Sequence, residues 1–85
     1  MVARGRSRRK RDEQMSRWPT DATRIGTQFC DAMERAINHG NLEDARVWSR
    51  QIQALITAHG NYRGELVRER WLDLTERLHS ERSAA

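Results

Sequence analysis

The sequence predicts an all-α protein: an antiparallel helical hairpin, with a short helix over about residues 21–38 and a long one over about 42–79, behind a disordered basic N-terminal arm. Three observations lead there. An apolar stripe recurs at helical spacing through Leu42, Ala45, Trp48, Ile52, Ile56, Leu66, Val67, Trp71, Leu74 and Leu78. A second amphipathic stretch precedes it, and Asn38-His39-Gly40-Asn41 separates the two.

Taken in order, Met1 to about Arg11 is rich in Gly, Ser and Arg and has nothing to bury, so it is expected to be disordered when free. Asp12 to Arg17 offers only Met15 as an apolar anchor. Trp18-Pro19-Thr20-Asp21 then reads as a helix entry. Proline biases Trp18 away from helical angles, Thr20 or Asp21 can cap, and Trp18 can fold back on the first turn as a staple.

The first helix places Ala22, Ile25, Phe29, Met33 and Ala36 on one face, flanked by Ala32 and Ile37. Asp31 and Arg35 stand at the spacing of a helical ion pair. Gly26, inside this helix, weakens it but allows another backbone to come close. Gly40 then suits a left-handed C-terminal cap, and Asn41 can cap the next helix, whose first turn carries Glu43 and Asp44 beside the positive dipole end. So short a connection makes the helices antiparallel.

The stripe keeps its phase through His59-Gly60-Asn61, which predicts one long helix with at most a kink at Gly60. Such a helix spans about 57 Å against about 27 Å for its partner, so half of it lacks cover. Its uncovered face carries Tyr62, Leu66, Val67, Trp71, Leu74 and Leu78, and a homo-oligomer built through these six residues is the natural expectation. Asp73 and Arg77 are placed as an i,i+4 pair on the same segment, and the chain should fray after Leu78. The division is therefore 1–17 arm, 18–80 helical hairpin and oligomerisation domain, 81–85 frayed tail. His-Gly-Asn occurs at both 39–41 and 59–61, but the flanking residues do not match, so no solenoid repeat is inferred.

With 85 residues, 36% hydrophobic and 33% charged, the chain supports one small domain with a thin core. Its single cysteine, Cys30, rules out an internal disulfide and favours a reducing compartment. No apolar run approaches the ~18 residues of a membrane span, and no signal-peptide h-region is present, so an intracellular, cytoplasmic and soluble protein without a membrane partner is expected.

Charge distribution is more telling than the net +4. Residues 1–18 hold seven Lys/Arg against two Asp/Glu, a net +5, while residues 19–85 hold nine against ten, a net −1. Arg4, Arg6, Arg8, Arg9, Lys10 and Arg11, with Arg17 beyond them, can track a phosphate backbone and release counterions without reading bases. A solvated solubilising tail and a localisation address are the competing readings of the same run. Trp48 and Trp71 read as core or interface anchors, whereas Trp18, next to the arm, could stack on a base.

Catalytic and metal signals are weak. His39, His59 and His79 are twenty residues apart, too far on helices to share a metal within one chain; Cys30 has no activating base nearby, and no phosphate loop or catalytic triad stands out. No catalytic residue, metal ligand or cofactor is assigned, and a non-enzymatic protein is expected.

The basic N-terminal segment, the Arg17-Trp18-Pro19 entry, the helix to about Asn38, and Asp44-Ala45-Arg46 through Gln51-Ile52-Gln53-Ala54-Leu55-Ile56 together resemble, over residues 17–75, phage terminase small subunits. That resemblance implies helical hairpins assembled into rings or bundles, non-specific or packaging-site DNA binding, and delivery of DNA to a large motor subunit. Many such proteins carry an N-terminal helix-turn-helix domain that this sequence lacks. The expected function is accordingly a non-catalytic, DNA-binding accessory role, with an adaptor whose long helix docks on a larger protein as the alternative.

Overall fold

The computed structural model describes residues 17–84, with side chains to residue 81; the arm cations Arg4, Arg6, Arg8, Arg9, Lys10 and Arg11 lie outside the described residues. Three helices follow in order: α1 (Thr20–Asn38), α2 (Leu42–His59) and α3 (Leu66–Ala84). The all-α class and the α1–α2 hairpin are as expected from sequence. The single helix from 42 to 79 is not.

The α1–α2 turn forms for the anticipated reasons. Gly40 adopts φ +75°, and the N–H groups of Gly40 and Asn41 return to the carbonyls of Ile37 at 3.0 Å and Ala36 at 2.8 Å, so the last carbonyls of α1 are satisfied by a Schellman arrangement. Asn41 caps α2, its side chain accepting from the Asp44 N–H at 3.4 Å. At the start of α1 the expectation fails: Pro19 holds the cap position, and no side chain caps this end.

The long helix divides at Gly60. Gly60 at φ +118° and Gly64 at φ +86° take backbone conformations that side chains disfavour, and they bracket the turn. The Gly60 N–H closes α2 on the Ile56 carbonyl at 2.8 Å, and the Glu65 N–H bonds the Tyr62 carbonyl at 3.0 Å as α3 begins. From there α3 runs back along α2, with Trp71 donating its indole N–H to Ser49 Oγ at 2.9 Å. Val67 lies beside Gly26, and Arg77 bonds Asn38 Oδ1 at 2.6 Å, so α3 runs parallel to α1. The architecture is an up-down-up bundle of three helices of about 28 Å each.

Folding back covers the stripe from within. Val67, Leu74 and Leu78 are buried in the same core as Met33, Ala45, Ile52 and Ile56, and Trp71 packs against it half-buried. Each fully buried aliphatic side chain contributes roughly 1.5–3 kcal/mol. Of the six residues expected to form an oligomer interface, only Tyr62 and Leu66 are exposed. The stripe therefore creates no need for a second copy.

Two further expectations change for the same reason. The buried line of α1 is Ala22, Gly26, Cys30, Met33 and Ile37, while Ile25 is 41% exposed, because α3 covers the flank of α1 that a two-helix hairpin leaves open. The two i,i+4 pairs expected along the helices give way to pairs between helices, although Asp21–Arg24 does form along α1. Arg70 reaches Asp31 at 2.6 Å and Glu34 at 2.8 Å, and Arg77 reaches Glu34 at 3.6 Å, in place of the Asp31–Arg35 and Asp73–Arg77 pairs. The C-terminus also departs from expectation, since α3 continues past Leu78 to Ala84.

Candidate nucleic-acid interface

Arg17 is the one arm cation whose surroundings are described, and its position is fixed by the α2–α3 turn. Glu65 Oε1 accepts the backbone N–H of Arg17 at 2.9 Å and that of Trp18 at 3.1 Å. Glu65 is only 1% exposed, a carboxylate taken out of water and satisfied by these bonds. Trp18 is buried, donates its indole N–H to the Gly60 carbonyl at 2.9 Å, and sets its ring 5.5 Å from that of His59. Trp18 is thus a core residue that anchors the chain entering α1, and its ring is not available to stack on a base.

Outside this anchor the turn is exposed and cationic. The Arg17 guanidinium lies 5.3 Å from the centre of the Tyr62 ring, a cation–π contact. The same ring lies close beside Gly60, where an added Cβ would be 2.3 Å from it. Tyr62 is 39% exposed. Arg63 beside it is exposed and has no ion-pair partner among the described residues. Arg68 is held by Asn61 Oδ1 at 2.5 Å and by Glu69. The Glu69 carboxylate also accepts the Gly64 N–H at 3.1 Å, and that bond is the main cause that holds it below the usual carboxylate range, with Arg68 and Arg63 adding to the effect. Glu65 and Glu69 are committed to local bonds, and Arg17 and Arg63 are the cations of this end without an ion-pair partner among the described residues.

A second cationic stretch lies toward the other end of the bundle, where Arg46 and Arg50 of α2 line a shallow groove with Ser49, Thr75, Leu78 and His79. Glu43 and Asp44 flank the same two arginines, so the local field is largely offset. The groove is also remote from the arm's root: about 14 residues of helix, roughly 21 Å, separate Arg46 from Gly60.

Sequence reasoning marked Arg17 but missed Glu65, and it placed Tyr62 in a different role. The available signal was the repeated His-Gly-Asn. At 39–41 it ends a helix, and at 59–61 it ends one again.

Cys30 is fully buried, and burial pushes its thiol up to about 11, partly opposed by Arg70, so it stays protonated and unreactive near neutral pH. Among the described residues, no group of three His, Cys, Asp or Glu side chains is placed to hold a metal ion. No helix among them is long and apolar enough to cross a membrane. Comparison with protein-family models, curated proteins and solved structures finds no match to this chain.

Proposed function

We propose that this protein is a non-catalytic nucleic-acid-binding accessory that holds phosphates through Arg4, Arg6, Arg8, Arg9, Lys10 and Arg11, with Arg17 at the root of the arm. The carrying observation is the segregation of charge: a net +5 in residues 1–18 on a body of net −1. A cationic segment of this density gains affinity by counterion release and needs no base contact, so binding is expected to be non-specific. Support from the body is positional. Glu65 and Trp18 tie the arm's root to one end of the bundle, the end where Arg17 and Arg63 face outward.

Phage DNA packaging with a large motor subunit, implied by the resemblance to terminase small subunits, is a finer form of the same proposal; of the features behind that resemblance, the long helix is replaced by α2 and α3. The proposal in its coarser form is nucleic-acid binding by a small folded body. The alternative, an adaptor docking its long helix on a larger protein, loses its docking face for the same reason: Val67, Leu74 and Leu78 are already buried.

Deletion of residues 1–11 tests the proposal. Affinity for DNA and for RNA is measured with full-length and truncated protein at two salt concentrations. Loss of most binding on truncation is expected; equal binding by both proteins, or none by the intact chain, contradicts it.

A further inference from the structure

We infer that the α2–α3 turn is a seat for one unpaired base and its phosphate, formed by Arg17, Tyr62 and Arg63, so that the protein favours single-stranded over duplex nucleic acid. The inference rests on the nucleic-acid reading above and adds what the body contributes to it.

The Tyr62 ring is backed by Gly60 on the protein side and carries the Arg17 guanidinium 5.3 Å from its centre. A guanidinium supported in this way is a planar platform, and arginine planes and aromatic rings are the surfaces on which unstacked bases settle. Arg17 is free to serve because its own backbone, not its side chain, makes the bond to Glu65. Arg63, the next residue after Tyr62, is exposed and unpaired among the described residues, and supplies a cation for the phosphate attached to a base on that platform.

Position supports the same assignment. The seat lies at Arg17, where the basic segment joins the described body, six residues on from Arg11, the last cation of the Arg4–Arg11 run. Gly60 is required for it: any side chain there would collide with the Tyr62 ring and push it off the backbone. Of the turn's two acids, Glu65 is buried, and Glu69 is bonded to the Gly64 N–H and paired with Arg68, which offsets its charge. Duplex DNA offers phosphates to the arm but no free base face to the platform, which is the origin of the preference.

The test uses the full chain with two fluorescent probes, a 20-nucleotide oligo(dT) and a 20-base-pair duplex of mixed sequence, at matched salt. Wild type is expected to bind oligo(dT) more tightly than the duplex. Tyr62→Ala should lose roughly five- to tenfold in oligo(dT) affinity, in keeping with the loss of one stacked base, with duplex affinity unchanged. Tyr62→Phe, which keeps the ring, should bind as wild type. Arg63→Gln, at an exposed position, gives an independent check and should weaken oligo(dT) binding with little change in thermal stability. If the intact protein binds both probes but Tyr62→Ala and Arg63→Gln leave oligo(dT) affinity unchanged, or weaken both probes equally, the seat is refuted while arm binding stands. If the intact protein binds neither probe, both readings fall together.

Discussion

The carboxylate of Glu65 accepts the backbone N–H of Trp18 at 3.1 Å, joining residues 47 apart in sequence at a point with almost no access to solvent. This bond connects the start of α1 to the start of α3. It also holds the chain entering α1 against the α2–α3 turn: one buried acceptor takes the N–H groups of Arg17 and Trp18, just ahead of the Pro19 cap position. Removing it should be costly. Glu65→Ala leaves the Arg17 and Trp18 N–H groups without their acceptor and should destabilise the fold by about 2–3 kcal/mol, while Glu65→Gln, which keeps a carbonyl oxygen, should lose about 1 kcal/mol. Urea unfolding of the two variants measures the difference, and equal losses would contradict this role.

Gly26 of α1 faces Val67 of α3 with no room for a side chain between them. A Cβ at Gly26 would lie 2.8 Å from both methyl groups of Val67, whose branched side chain has little room to rotate away. Gly26→Ala gains about 1 kcal/mol of helix propensity but overpacks the interface by about 1–3 kcal/mol, and the net effect should be destabilising. In a Val67→Ala background both methyl collisions are removed and only the 3.3 Å approach to the residue-67 Cβ remains, so the same change should cost clearly less. A double-mutant cycle reads this coupling directly.

Cys30 gives a pH dependence of known direction. Burial raises its pKa in the folded protein to about 11, above the usual thiol value, so the folded state prefers the protonated form. The contribution is fully present below about pH 9 and is lost as pH rises toward 11. Stability should therefore fall across that alkaline window, and Cys30→Ala should flatten the fall. Native protein should also react slowly with a thiol reagent at pH 8, and quickly once unfolded in urea.

Because the apolar stripe is used within the chain, the protein should sediment as a monomer at micromolar concentration, with a mass near 10.0 kDa. A stable dimer that dissociates on Leu66→Ser would show that the exposed apolar residues of α3 still recruit a second copy.

The helix ends at Asn38–Asn41 were legible because their determinants are local: a glycine for the left-handed cap and an asparagine for the next helix start. The reversal at Gly60 was not, although Gly60 and Asn61 carry the same local chemistry. Continuity of the stripe masked it. Ile56 and Val67 are consecutive buried members of the stripe on either side of the turn, eleven residues apart, and eleven residues at about 100° each return to within about 20° of the starting direction. A turn of that length keeps phase by arithmetic alone. Two antiparallel helices that face one core also present the same apolar pattern as one continuous helix would, so periodicity could not distinguish them. The arm's charge was legible for the opposite reason, since it depends on composition and not on where the chain turns. Glu65 was invisible because nothing in a lone glutamate among Gly, Arg and Asn marks it for burial; only the meeting of two distant chain segments does.

The most direct measurement for nucleic-acid binding is the salt dependence of affinity for duplex DNA between 50 and 200 mM salt. Six phosphate contacts by Arg4–Arg11 predict a log–log slope of about −5, a loss of close to a thousandfold across that range. A slope near zero, or no binding at the lowest salt, would contradict the claim that this chain is organised to hold a phosphate backbone.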